Sequence, residues 1–112
     1  MMEPWAFSFP AEIIVCSPDG KILSMNEIAI RNYEAVGGVA LVGQNVFDHH
    51  GQPSRSQVRA MVQSRRTRMY TTQKAAQNKL VIIAPWYKAG AYAGFTLQVI
   101  DLPAKLPNIV KD

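Results

Sequence analysis

Apolar and polar residues follow two different periods along the chain, and these predict the order of its strands and helices. The first segment, Glu12–Cys16, is apolar and rich in β-branched residues, which is typical of a strand. Ser17–Gly20 follows it, with proline and glycine at positions that suit a tight turn. We therefore expect Lys21–Ser24 to be the second strand of a hairpin.

Helical periodicity begins after this hairpin. Asn26 has a side chain suited to cap a helix, and Gly37 is expected to end that helix. Residues 39–48 are apolar but interrupted by glycine and asparagine, which predicts one or two short helical turns. Within 54–66, apolar residues recur at spacings of three and four, which predicts an amphipathic helix. They are Val58, Met61 and Val62.

Three further strands are predicted, at Arg68–Lys74, Lys79–Tyr87 and Ala91–Asp101. The middle one is apolar on both faces, so we expect the core to bury one face and a partner or a flanking segment to bury the other. Pro85 cannot donate to a sheet ladder, which predicts a bulge or a missing neighbour at that position.

Three sequence segments in this order resemble the PAS family. Ser17–Asn26 resembles its first hairpin with the helix cap, Leu41–Phe47 resembles its Gly-containing segment that ends in Phe, and Pro85–Phe95 is similar to its last hairpin. The resemblance implies an α+β fold, in which a five-stranded antiparallel sheet has short helices inserted between strands 2 and 3. It predicts a PAS domain at 12–101, with flanking arms at 1–11 and 102–112.

The resemblance, which extends to small bacterial PAS-type sensor proteins, implies a sensory role. The module would bind a small apolar ligand or a signalling protein and relay the signal through dimer packing. The candidate pocket residues are apolar or aromatic side chains expected between helices and sheet: Met25, Ile28, Tyr33, Leu41, Val46, Phe47, Met61 and Leu97. The candidate dimer surface comprises Trp5, Phe7, Ile83, Trp86 and Tyr87.

Two other functions remain open at the level of sequence. The pocket candidates would serve equally well as a closed core, which would make the chain a ligand-free interaction and dimerisation domain. His49 and His50, beside Asp48, could instead ligate haem or a metal ion. Haem-binding PAS domains usually carry the ligand histidine on the long helix, however, and the segment 54–66 contains none.

No cofactor is identified by the residues, and neither haem nor flavin is expected. Cys16, the single cysteine, lies in a predicted strand and lacks the helix motif of flavin-binding relatives, so we interpret it as a core residue. No Ser-His-Asp set, carboxylate pair or phosphate-binding glycine loop is recognisable, which argues against an enzyme. The N-terminus lacks signal-peptide features and no apolar run is long enough to span a membrane, so we expect a soluble cytoplasmic protein.

Charge is distributed unevenly along the chain. Residues 1–48 hold six acidic and two basic residues, whereas residues 49–100 hold eight basic residues and no acidic one. Five of these are arginines: Arg55, Arg59, Arg65, Arg66 and Arg68. No aromatic residue lies between the first and the last of them to stack on a base, so we interpret the segment as a solvated basic face and expect no nucleic-acid binding.

Overall fold

The computed structural model describes residues 2–49 and 54–112, which form a five-stranded antiparallel sheet with short helices between β2 and β3. The α-helices are α1 (Pro4–Phe7), α2 (Glu27–Asn32) and α3 (Ser54–Gln63), and 3₁₀ turns occur at Glu34–Val36, Gly38–Leu41 and Val46–His49. The strands are β1 (Glu12–Cys16), β2 (Ile22–Met25), β3 (Arg68–Lys74), β4 (Gln77–Lys88) and β5 (Ala91–Leu102). Their order across the sheet is β2-β1-β5-β4-β3, so the predicted α+β architecture is confirmed.

The first hairpin and its helix cap form as the sequence predicts. β1 pairs antiparallel with β2, and the Asn26 side chain accepts a hydrogen bond of 3.1 Å from the Ala29 backbone N–H. The helix is shorter than expected, because α2 ends at Asn32 and a separate 3₁₀ turn runs to Val36. Gly37, at φ 135°, ends this turn in a conformation that L side chains rarely adopt.

The core lies between the helices and the inner face of the sheet. Alternate residues of the central strands point toward it, among them Ile14 and Cys16 of β1 and Phe95 and Leu97 of β5. From the helical side, Leu41, Val46, Phe47, Val58 and Val62 are buried against them. The predicted inward stripe of α3 is thus confirmed in Val58 and Val62, while Met61 is half-buried.

β4 is apolar on both faces, as predicted. Val81 and Ile83 point into the core, whereas Leu80 and Ile82 are half-buried on the opposite, outer face. The ladder between β3 and β4 begins at the pair Arg68–Ile83, so Pro85 lies beyond the end of β3 and pairs with β5 alone. The register between β4 and β5 also shifts just after it, between Trp86 and Tyr87. Both consequences expected of a proline in this strand are present.

The two ends of the chain differ in how far they pack against the domain. Ala6 of α1 and Ala11 are buried, so part of the segment 1–11 packs on the domain. Residues 103–112 are exposed and form neither helix nor strand. Within the described ranges, no helix combines the length and the apolar character needed to cross a membrane.

Candidate functional site

A pocket of about 470 Å³ lies between α3 and the inner face of the sheet. This volume falls within the range of about 300–1,000 Å³ that is usual for small-molecule sites. Most of its lining is apolar, with several polar groups among it. The lining residues are Glu12, Ile14, Tyr33, Gln57, Val58, Met61, Tyr70, Thr72, Val81, Leu97 and Val99.

Helix α3 and the sheet pleat together produce this lining. Val58 and Met61 lie three residues apart on α3, so both face the sheet. Leu97 and Val99 alternate with outward-facing residues on β5, which places both on the inner face. The pocket therefore separates two elements of one domain, and its occupant would contact both.

A carboxyl group lies among these apolar residues. Glu12 is only 6% exposed, and its Oε1 accepts a hydrogen bond of 2.9 Å from Asn32 Nδ2 on α2. Burial raises the pKa of the Glu12 carboxyl, while the Asn32 hydrogen bond acts in the opposite direction. Burial likewise raises the pKa of Tyr33 to about 12 and that of Tyr70 above its usual value, so both phenols are neutral at physiological pH.

The sequence-based pocket residues fall into two groups. Tyr33, Met61 and Leu97 line the pocket. Met25, Leu41 and Val46 instead border, together with Tyr33, a narrow cleft of about 10 Å³. Phe47 is buried against Phe95 with 5.9 Å between ring centroids, and Ile28 is half-buried and lines neither space.

Several lining residues were missed by the sequence reasoning, above all Glu12, Gln57, Tyr70 and Thr72. One signal was available for Glu12. It occupies the same parity as Ile14 and Cys16 in a short apolar strand, so a carboxylate at that position points toward the core. The other three belong to polar stretches with no comparable pattern.

The residues predicted to form a dimer surface are not all exposed. Trp5 is 69% exposed, Tyr87 is 58% exposed and Phe7 is exposed as well. Trp86 is half-buried, and its indole N–H donates a hydrogen bond of 3.0 Å to the Cys16 carbonyl. The prediction is wrong for Ile83, which is only 1% exposed because its side chain points into the core. Ile83 therefore cannot belong to a dimer surface.

Of the two histidine candidates, the structure describes His49 alone. His49 ends the 3₁₀ turn Val46–His49, is exposed, and has its Nε2 3.3 Å from Gln44 Oε1. It borders a narrow cleft of about 10 Å³ and a wide surface depression of about 480 Å³, and it does not line the pocket between α3 and the sheet. His50 lies outside the described residues. Across the described ranges, His, Cys, Asp and Glu form no group of three that could hold a metal ion.

Two of the five clustered arginines lie over aromatic rings. The Arg59 guanidinium carbon is 4.5 Å from the centroid of the Phe47 ring, and that of Arg65 is 4.1 Å from the Tyr92 ring. Cation–π contacts of this kind favour a fixed side-chain position. Two arginines of the basic face therefore contact other parts of the same domain.

Cys16 is fully buried, in agreement with its interpretation as a core residue.

Comparison with known proteins gives a clear result only at the level of structure. No family model matches the sequence, and no curated protein matches it. Solved structures do match. The Aer2 receptor from Vibrio cholerae, described as a dual PAS-heme oxygen sensor, has a TM-score of 0.67 at 14% identity, with 83% of this chain and 95% of that chain covered.

Two further matches are PAS domains. The PAS domain of Bordetella pertussis BvgS has a TM-score of 0.67 at 16% identity, covering 88% of this chain and 81% of that one. The PAS domain of histidine kinase ThkA has a TM-score of 0.65 at 15% identity, covering 80% and 96%. Since near-complete coverage of several PAS domains accompanies the observed sheet order, the chain has the PAS-type fold.

Proposed function

We propose that the chain is a non-catalytic sensory module that binds a small molecule in the pocket between α3 and the sheet. The observation that carries the proposal is the pocket itself: about 470 Å³, lined mainly by apolar side chains. The PAS domains with matching structures belong to sensor kinases and receptors, which is consistent with a sensory role.

The position of the pocket suggests how a bound ligand changes the packing of α3 against the sheet. Val58 and Val62 anchor α3 on the core, while Gln57 and Met61 border the pocket. A ligand that contacts both α3 and β5 favours one separation between helix and sheet over another. The signal would consist of that shift in packing.

A second copy of the chain is the proposed recipient of this shift. The outer face of the sheet carries apolar side chains that are only half-buried, among them Ile13, Leu80, Ile82 and Ile100, and Trp5 and Tyr87 are strongly exposed. Burial of such surface favours association by about 25 cal/mol per Å². An apolar sheet face of this kind suits an identical face related by twofold symmetry.

Native mass spectrometry of protein purified from cells tests the ligand directly. We expect a reproducible added mass that is lost on denaturation. Val99→Phe, which projects a larger ring into the pocket, should abolish it, whereas Ile100→Phe, the neighbouring position on the outer face, should not. Protein without added mass, and without thermal stabilisation by any member of a metabolite library, would favour the alternative of a ligand-free interaction domain.

A further inference from the structure

The position of Glu12 is unusual for a β-strand that faces a core. Ile14 and Cys16 occupy the next two inward positions of β1 and are buried apolar side chains. An apolar residue at Glu12 would continue the pattern and avoid the free-energy cost of burying a carboxyl group. Because Glu12 lines the pocket, this carboxyl is available to an occupant.

No basic side chain neutralises this carboxyl directly. Within residues 2–49 and 54–112, its hydrogen bond comes from the neutral amide of Asn32, and it forms no salt bridge. Lys79 on β4 is near enough to influence Glu12, but its Nζ is paired with Asp101 at 3.7 Å. An ionised Glu12 therefore presents an acceptor whose charge is incompletely balanced.

The rest of the lining contains no second ionisable group that is charged at neutral pH. The remaining polar side chains are those of Tyr33, Gln57, Tyr70 and Thr72, and the others are apolar. An anionic ligand would meet a carboxylate without a compensating cation, whereas a cationic ligand would supply the missing charge. Charge-assisted N–H···O hydrogen bonds are about twice as strong as neutral ones, so the pocket discriminates in favour of a cation.

We infer that the pocket takes a small organic ammonium compound, whose protonated amine binds Glu12 and whose apolar body packs against Val58, Met61 and Leu97. This inference rests on the proposed ligand-binding function and specifies the class of ligand. A ligand with one charged end and one apolar end matches this lining, which combines the carboxyl group of Glu12 with aliphatic side chains.

Binding of such a ligand is coupled to the protonation of Glu12. The groups that face this carboxyl are Asn32 of α2, Tyr33 at the end of α2, Lys79 of β4 and Asp101 of β5. Burial raises the pKa of Glu12 in the empty pocket, and an adjacent ammonium group lowers it. The cation binds the ionised form, so its affinity falls when the pH is lowered through the pKa of Glu12.

Three probes of similar shape and different charge test the inference: phenethylammonium, phenylethanol and phenylpropionate. Isothermal titration calorimetry of the whole chain should show the ammonium binding about tenfold more tightly than the alcohol, with the carboxylate weakest. Glu12→Gln keeps the shape of the side chain and its acceptor for Asn32, and it should remove the preference. Wild-type affinity for the ammonium should fall as the pH is lowered from neutral through the pKa of Glu12, while the amine of the probe stays protonated.

Two results would overturn the inference while leaving the proposed function in place. One is equal or tighter binding of the alcohol or the carboxylate to the wild type, with all binding lost in Val99→Phe. The other is binding of none of the three probes to a protein that still carries a native small molecule by mass spectrometry. Failure of the proposed function gives a different result: no native ligand is found by mass spectrometry, and Val99→Phe changes neither the measured mass nor the binding of the probes.

Discussion

The side-chain amide of Asn26 donates a hydrogen bond of 2.7 Å to the backbone carbonyl of Ala11. The same Nδ2 lies 3.2 Å from the Ala6 carbonyl, and Oδ1 accepts from the backbone N–H of Ile13 at 2.9 Å and of Ala29 at 3.1 Å. Asn26 is 0% exposed. One side chain therefore joins the N-terminal segment, β1 and the start of α2.

Removal of this amide should destabilise the domain. Asn26→Ala leaves buried N–H and carbonyl groups without partners, and we expect the free energy of unfolding to fall by about 2–4 kcal/mol in urea denaturation. Asn26→Asp should also be destabilising, because a carboxylate cannot donate to the Ala11 carbonyl. Asn78→Ala, at a half-buried position on β4, is the control and should change stability by less than about 0.5 kcal/mol. Equal effects at the two positions would contradict this account of Asn26.

Gly94 should not tolerate a side chain. It has φ 141°, and a Cβ at this position would lie 1.9 Å from the carbonyl oxygen of Cys16. We expect Gly94→Ala to lower the free energy of unfolding by about 3 kcal/mol or more, or to prevent folding. Gly90→Ala is the matched control: its φ is also positive, at 80°, but no atom lies within 4 Å, so the loss should be about 1 kcal/mol. A Gly94→Ala variant as stable as Gly90→Ala would show that the close approach of β1 is not maintained in solution.

The pH dependence of stability should reveal the raised pKa of the Glu12 carboxyl group. Its pKa in the folded state is raised above 4.5 because burial disfavours the charged form. The folded protein therefore binds more protons than the unfolded chain between these two pKa values, and stability decreases as the pH rises through that window. In Glu12→Gln this decrease should disappear and the ligand-free protein should gain stability at neutral pH, as measured by thermal unfolding at a series of pH values. Glu34→Gln, at an exposed position, should retain the wild-type profile; a Glu12→Gln profile of unchanged slope would contradict the burial of the carboxyl.

Cys16 should be inert in the native protein. Its side chain is fully buried, and burial raises the pKa of the thiol to about 12, so almost no thiolate is present at neutral pH. Labelling with a maleimide should therefore proceed only as fast as the domain opens and should become rapid in denaturant. Ser8→Cys adds a thiol at an exposed position and should react at once, as seen by a single added mass. Rapid labelling of Cys16 in the wild type would show that β1 is accessible.

The proposed dimer should depend on exposed aromatic side chains. Trp5→Ser and Tyr87→Ser remove apolar surface that is largely accessible in a single chain, so each should weaken association about tenfold in sedimentation equilibrium without loss of stability. Val39→Ser, at another exposed apolar position, provides the control and should leave association unchanged. A strictly monomeric wild type at high concentration would contradict the dimer.

Local patterns were sufficient to predict most elements of the fold. β1 and β3 have the bounds expected from the sequence, and Asn26 caps α2 as predicted, because turn chemistry and capping depend on residues close in the chain. The boundaries of α2 and α3 were predicted too far toward the C-terminus. The 3₁₀ turn after Asn32 and the positive φ of 54° at Arg65 end these helices earlier than the apolar pattern does.

The sequence by itself determined the order of the strands along the chain and the buried character of Cys16, since both follow from periodicity and residue type. It did not decide which face of β4 points inward, because both faces are apolar, and only the structure places Ile83 in the core. Only the tertiary structure decided which inward side chains meet an open space. Met25, Phe47 and Met61 are all apolar and inward, yet of these three only Met61 lines the pocket between α3 and the sheet, because the distance between α3 and the sheet is set by packing of the whole core. The same distance between α3 and the sheet places Glu12 in the lining of the pocket, where a bound molecule can contact its carboxyl group.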